Sequence, residues 1–249
     1  MMDKQAERDF FNNEYQNSPR MAVGQIYSII RGRNAVYEDM IYSGSEGLRV
    51  LEYGCGTGSH SLEIARRGGL VTGIDISEMG IRKAQARAEA AQVEGAEYLV
   101  MDAEEMLFED NTFDLVIGEG ILHHLDLEKS YSEISRVLKP GGQAIFMEPL
   151  GHNPAIEIFR MLTPKLRTAD EHPLRRRDLK LADKYFSSTK LHYFHLISFV
   201  SLIFLQAPFF YKSVEFLDKV DAFIFKVLPI SGLLAWYSIM VMSNSLEEE

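Results

Sequence analysis

The run from Val50 to Gly68, VLEYGCGTGSHSLEIARRG, constrains the fold more than any other part of the chain. An apolar strand carries Glu52 near its end, glycines alternate at Gly54, Gly56 and Gly58, and an amphipathic helix follows. Alternating glycines after a strand let the backbone approach a bound molecule closely, because no Cβ intervenes and positive φ is accessible. The next helix aims its unpaired N–H groups at the same spot. Glu52 supplies a carboxylate there that can accept hydrogen bonds or meet a positive charge. The run therefore predicts a strand–turn–helix unit with a ligand at the strand's C-terminal end.

Strand and helix patterns alternate from Leu48 to Met147, as in βαβ units built on a parallel sheet. A second apolar run, Leu70 to Ile74, leads into Asp75, about 20 residues past the glycine turn, where a doubly wound sheet holds ribose hydroxyls. Ser77 reads as the N-cap of a helix with Ile81, Ala84 and Ala88 on one face. A third strand, Tyr98 to Met101, precedes Asp102, and a fourth, Phe113 to Ile117, exits through Glu119 to His124. A helix from Leu127 to Leu138 turns Tyr131, Ile134 and Val137 inward, and LKPGGQAIFMEP gives a turn and a fifth strand, Leu138 to Pro149. A dinucleotide fingerprint, G-x-G-x-x-G, does not close here: from Gly54 its third glycine falls on Ser59, and from Gly56 on Ser61.

In E-x-G-x-G-x-G, the two placed aspartates and the KPGG turn, in register over residues 48–150, the chain resembles the class I S-adenosylmethionine-dependent methyltransferases, in particular the small-molecule, ubiquinone-biosynthesis-like members. The resemblance implies a doubly wound α/β fold with a seven-stranded, mostly parallel sheet and an antiparallel final strand. It implies S-adenosylmethionine as cofactor, with S-adenosylhomocysteine as product. Glu52, Gly54, Cys55, Gly56 and Gly58 would shape the methionine end of the pocket, Asp75 and Ile76 the ribose end, and Asp102 and Ala103 the adenine end. Glu119 and Gly120 would lie between cofactor and substrate. Helices over residues 1–45, with Phe10, Phe11, Tyr15, Ile26, Tyr27, Ile29 and Ile30, would cap the site, Tyr15 near the methionine end. Residues 46–249 would form the methyltransferase domain.

The net charge of −10 argues against a nucleic-acid partner, and Arg175, Arg176 and Arg177 read as a solvated helix face. One cysteine, Cys55, allows no internal disulfide and suits a reducing cytoplasm. The polar start, MMDKQAERDFFNNEY, does not read as a secretion signal. No H-E-x-x-H and no Cys/His ligand set occurs, so no metal is expected; His192 and His195, if both on a strand, would face opposite ways.

From Leu191 to Tyr211 the chain has no Lys, Arg, Asp or Glu, a stretch long enough to span a bilayer. Gln206, Pro208, His192 and His195 lie inside it, and no clean positive flank marks an orientation. The implied fold also needs two more strands, so Leu191 to Val200 is expected as the sixth and Leu234 to Met242 as the seventh. Residues 201–232 would then be a pair of inserted helices, and they and residues 149–186 would cover the substrate. Phe204, Phe209 and Phe216 make an apolar or amphipathic small-molecule acceptor the expectation; the alternatives are a cofactor-binding regulatory or scaffold protein without turnover and a lipid methyltransferase in peripheral contact with a membrane, and the oligomeric state is open.

Methyl transfer from a sulfonium is an in-line displacement, so an enzyme mainly aligns the reactants, excludes water and removes a proton where needed. His123 or His124, at the exit of the fourth strand, is the candidate base, only one of the pair facing the cleft. Glu148 and His152 are the candidates for touching substrate, in a polar stretch that also holds Asn153, Arg167, Asp170, Glu171 and His172.

Overall fold

The computed structural model describes residues 4–17, 31–162, 172–204 and 206–245. The candidate positions Ile26, Tyr27, Ile29, Ile30, Arg167, Asp170 and Glu171 lie outside them. Seven strands form one sheet in the order β3-β2-β1-β4-β5-β7-β6. The strands are β1 (Arg49–Tyr53), β2 (Leu70–Asp75), β3 (Ala96–Val100), β4 (Phe113–Glu119), β5 (Leu138–Pro149), β6 (Ser188–Phe194) and β7 (Tyr237–Ser243). The first five run parallel, the final strand is antiparallel as the resemblance implies, and β7 lies between β5 and β6.

Helices α1 (Lys4–Asn17), α2 (Arg31–Tyr42), α3 (Ser59–Arg66), α4 (Glu78–Ala90), α5 (Leu127–Val137), α6 (Pro154–Leu162), α7 (Arg176–Leu181) and α8 (Phe210–Val227) surround the sheet. Local chemistry sets several of their ends. The Ser77 hydroxyl accepts from the Gly80 N–H to start α4, and Ile81, Ala84 and Ala88 are buried as the spacing predicts. Asp126 caps α5 by accepting from Glu128 and Lys129 N–H, and Tyr131, Ile134 and Val137 are wholly buried beneath it.

The C-terminal third departs from the sequence reading. The sixth strand stops at Phe194 because His195 turns to φ 62, and Ser198–Phe204 winds into a 3-10 helix instead. His195 is therefore off the strand. Residues 201–232 hold the end of that turn, the one long helix α8 and part of a second 3-10 turn, Pro229–Leu234, rather than two inserted helices. Leu174, Leu179, Ala182 and Phe186, expected over the substrate, belong to the main core with Tyr131 and Phe146. Apolar side chains spaced along a connection are equally suited to covering a ligand or to covering a sheet, and here burial under α5 decided it. Arg175, Arg176 and Arg177 are exposed, as a solvated face should be. No described helix is long and apolar enough to cross a membrane.

Candidate active site

The C-terminal ends of β1, β2, β3 and β4 converge on one pocket, roofed by α1. Its walls include Gly54, Asp75, Ile76, Asp102, Ala103, Glu119 and Gly120, all from the implied cofactor set, together with Lys4, Glu7, Phe11, Tyr15, Ile121, His124 and Leu125. Gly54, Gly56 and Gly58 all take left-handed φ. At Gly56 a Cβ would lie 2.6 Å from the Tyr15 hydroxyl, and at Gly54 one would lie 2.7 Å from Ile121. Those two glycines therefore keep open the cradle that α1 closes from above.

Asp75 holds this turn together. One carboxylate oxygen accepts from the Gly56 N–H and the other from the Ser77 N–H, both at 2.8 Å. Burial pushes its carboxyl up against the pull of those two bonds. Asp102 accepts from the Lys4 ammonium at 3.2 Å, and Lys4 also meets Glu104 at 3.2 Å. Across the roof, Asn12 accepts from the Ser77 hydroxyl and the Met79 N–H, and Lys83 donates to the Tyr15 carbonyl. So α1 is fixed at both ends of the pocket, and its Phe11 and Tyr15 rings lie over the space between.

Glu52 and Cys55 sit beneath the pocket rather than in its wall. Glu52 is buried and accepts from the Ser61 N–H at 2.8 Å, satisfying an orphan donor in the first turn of α3. Burial, opposed by His60 and Ser61, raises its carboxyl. The Cys55 thiol points into a small core with Leu62, Ile81 and Tyr98, and burial drives its ionisation far upward. Gly58 packs against Tyr98 and Ala84, giving room for α4.

Glu148 is not placed to touch substrate. It is fully buried, with one oxygen accepting from Ile121 and Leu122 N–H at 2.9 and 2.8 Å and the other 2.7 Å from His123 Nδ1. Burial pushes it up to about 7 against those backbone bonds. Glu148 therefore positions the turn after β4, Leu122–His124, and holds His123 inward. The neighbouring His124 ring, 4.1 Å from that of His123, faces the pocket edge-on to Phe11. His152 is outside this site; its Nε2 accepts from the Arg176 N–H at 3.4 Å, beside α7.

The wall residues Lys4, Glu7 and Leu125 were missed in the sequence, as were Arg33, Tyr37 and His60 behind the wall. On α2, Arg33, Tyr37 and Ile41 recur every four residues and form its buried face, so Arg33 occupies a position that amphipathic patterning assigns to an apolar residue. Its guanidinium lies 3.8 Å from the centre of the Tyr237 ring and 3.5 Å from Glu119, and its Nη1 is buried without a hydrogen-bond partner among the described residues. His60 binds the other Glu119 oxygen at 3.1 Å. Burial raises Glu119, but the His60 bond and the Arg33 charge outweigh it and bring the carboxyl below its ordinary value. Tyr37 donates to the Gly118 carbonyl at 2.9 Å and fixes the end of β4. Lone basic and aromatic residues in a short helix carry no motif, so spacing on α2 was the one available signal.

A sequence profile described as a methyltransferase domain matches residues 51–146. The chain is 30% identical over 171 residues to a demethylmenaquinone methyltransferase of Staphylococcus aureus, covering 65% of this chain and 68% of that protein. The chain belongs to the class I S-adenosylmethionine-dependent methyltransferases. It is also 40% identical over 98 residues to a ubiquinone biosynthesis O-methyltransferase of Rhizobium leguminosarum, covering 39% of this chain and 38% of that protein, so it spans well under half of that relative's length. A solved phosphoethanolamine N-methyltransferase 2 of Haemonchus contortus shares the fold, with TM-score 0.69 and 21% identity over 98% of this chain and 61% of that one.

The pocket wall fits the family's cofactor in its chemistry: the carboxylates of Asp75, Asp102 and Glu119, with the Phe11 and Tyr15 rings above them, suit a sulfonium cation. Arg33 is a buried cation behind the wall residue Glu119.

Proposed function

We propose that this methyltransferase moves the methyl group of S-adenosylmethionine to a small, apolar or amphipathic acceptor. The observation that carries the reading is the glycine cradle walled by Asp75, Asp102 and Glu119 and closed by α1. When bound, the cofactor supplies a methyl group already activated by positively charged sulfur. Asp75 would hold the ribose hydroxyls and Asp102 the adenine end, and the Arg33 guanidinium behind Glu119 would attract the amino-acid carboxylate. Phe11 and Tyr15 exclude water, which strengthens every charge interaction beneath them. His124, held outward by the Glu148–His123 pair, takes the acceptor's proton when the acceptor atom carries one.

The acceptor's apolar character is supported by the two quinone-pathway names among the relatives. It draws no support from the aromatic insert as a cover: Phe204, Phe209 and Phe216 are exposed and line no part of the pocket. The test is to incubate the protein with methyl-labelled S-adenosylmethionine and an extract of producing cells, then partition the label. Label in the organic phase supports the reading; label confined to aqueous or macromolecular fractions replaces the acceptor class with polar metabolites or protein.

A further inference from the structure

Helix α8 is turned the opposite way from an ordinary surface helix. Its acidic residues Asp218 and Asp221 face the protein. Asp221 is buried and accepts from the N–H groups of Leu196, Ile197 and Ser198, and Asp218 lies 3.2 Å from His195 Nδ1. Phe210 and Val214 anchor the same side against Ile156 and Trp236. The outward side carries phenylalanines instead. Phe216 and Phe223, seven residues apart, are 66% and 64% exposed, and the same register brings Phe209 before the helix and Ile230 after it to 50% and 67%. A repeat of seven in a helix lines residues along one stripe.

A second row runs beside it. Lys212, Lys219 and Lys226 follow the aromatic positions by three residues each and are all exposed. In a chain of net charge −10, three aligned cations next to an apolar stripe are a local reversal of the surface. On the outward side of α8 the exposed acid is Glu215.

We infer that α8 lies flat on an anionic lipid surface, its phenylalanines in the headgroup–acyl boundary and its lysines at the phosphates. Helices of this composition sit in the interface with the apolar face sunk by roughly 5–10 Å, and lysine stems reach back to the headgroups. A second copy of this chain fits the face less well, because an antiparallel two-fold pair would bring lysine row against lysine row. The face is also close to the active site through α2. A Cβ on Gly32 would lie 3.4 Å from Asp218, and the next residue, Arg33, meets Glu119 in the pocket wall. Docking on α8 sets that side of the site near the lipid.

Vesicle flotation of the full chain tests this without any knowledge of the acceptor. Vesicles of phosphatidylcholine with about 30% phosphatidylglycerol should carry the protein, phosphatidylcholine alone should not, and about 0.5 M salt should release it, since screening then acts within a few ångströms. The double variant F216S/F223S should bind about tenfold more weakly while its affinity for S-adenosylhomocysteine stays unchanged, which separates lost docking from lost folding. Equal flotation of variant and wild type, or no flotation of wild type, overturns the inference. So does a wild-type dimer in sedimentation equilibrium that F216S/F223S dissociates while vesicles are ignored, which assigns the face to a second copy. None of these outcomes bears on whether methyl transfer occurs.

Discussion

Asp75 and Arg33 make the same point from opposite directions. Asp75 was legible because a carboxylate at the end of the second strand has a known geometric task, and its two backbone bonds show it shaping the glycine turn as well. Asp75→Ala should weaken S-adenosylhomocysteine binding by about 1–3 kcal/mol, measured by titration calorimetry with circular dichroism as a folding control. Unchanged affinity would contradict the site. Arg33 was illegible because its meaning comes from what is packed around it: Tyr237 from the last strand and Glu119 from the fourth. Arg33→Met should lower affinity for S-adenosylhomocysteine by about 1.5–3 kcal/mol, the range for hydrogen bonds to charged groups. It should leave 5′-methylthioadenosine, which lacks the amino-acid carboxylate, nearly unaffected. An equal loss for both ligands would assign Arg33 to structure alone.

At the scale of elements, the parallel part of the sheet followed the sequence to within a residue or two, because each strand is bounded by turn chemistry that the chain carries locally. Ser77, Asp126 and the glycine run are such signals. The turn after β4 shows where local signals end. A histidine pair suggests a base, but a carboxylate 24 residues beyond the second histidine selects which ring faces the pocket, and Glu148 achieves this by being buried rather than by meeting substrate. The roof helix α1 has a weakly apolar sequence and is held largely by polar contacts to Asp102, Ser77 and Lys83. Deleting residues 1–17 should therefore reduce S-adenosylhomocysteine affinity by roughly tenfold or more while leaving the sheet's thermal transition cooperative. A truncated chain that binds as tightly as the full one would remove α1 from the site.

For the whole molecule, the pair His60–Glu119 ties α3 to β4 and gives stability a pH dependence. Burial disfavours the His60 charge, but the Glu119 bond and the charges of Glu52 and Glu119 outweigh it and raise its pKa above 6.5. That contribution is complete below about pH 6.5 and is lost as pH rises through the raised value. Glu119 is lowered below 4.5, so its contribution is present above about pH 4.5 and is lost as pH falls through the lowered value. The pair should contribute most between about pH 4.5 and 6.5. Its size should stay below about 1 kcal/mol, because the Glu119 side chain is 39% exposed. The thermal-midpoint gap between wild type and His60→Gln should be larger at about pH 6 than at about pH 9; a gap that grows with pH would refute the pairing. The sequence by itself determined the five parallel strands and the carboxylates at their ends, because those depend on periodicity and turn residues close together in the chain. Tertiary structure alone decided the order of the strands, which histidine faces the pocket, that Leu174, Leu179, Ala182 and Phe186 are core, and that Phe216 and Phe223 of α8 point outward over inward acids. Each of those outcomes depends on which distant surface a segment is buried against, and burial is a property of the assembled fold.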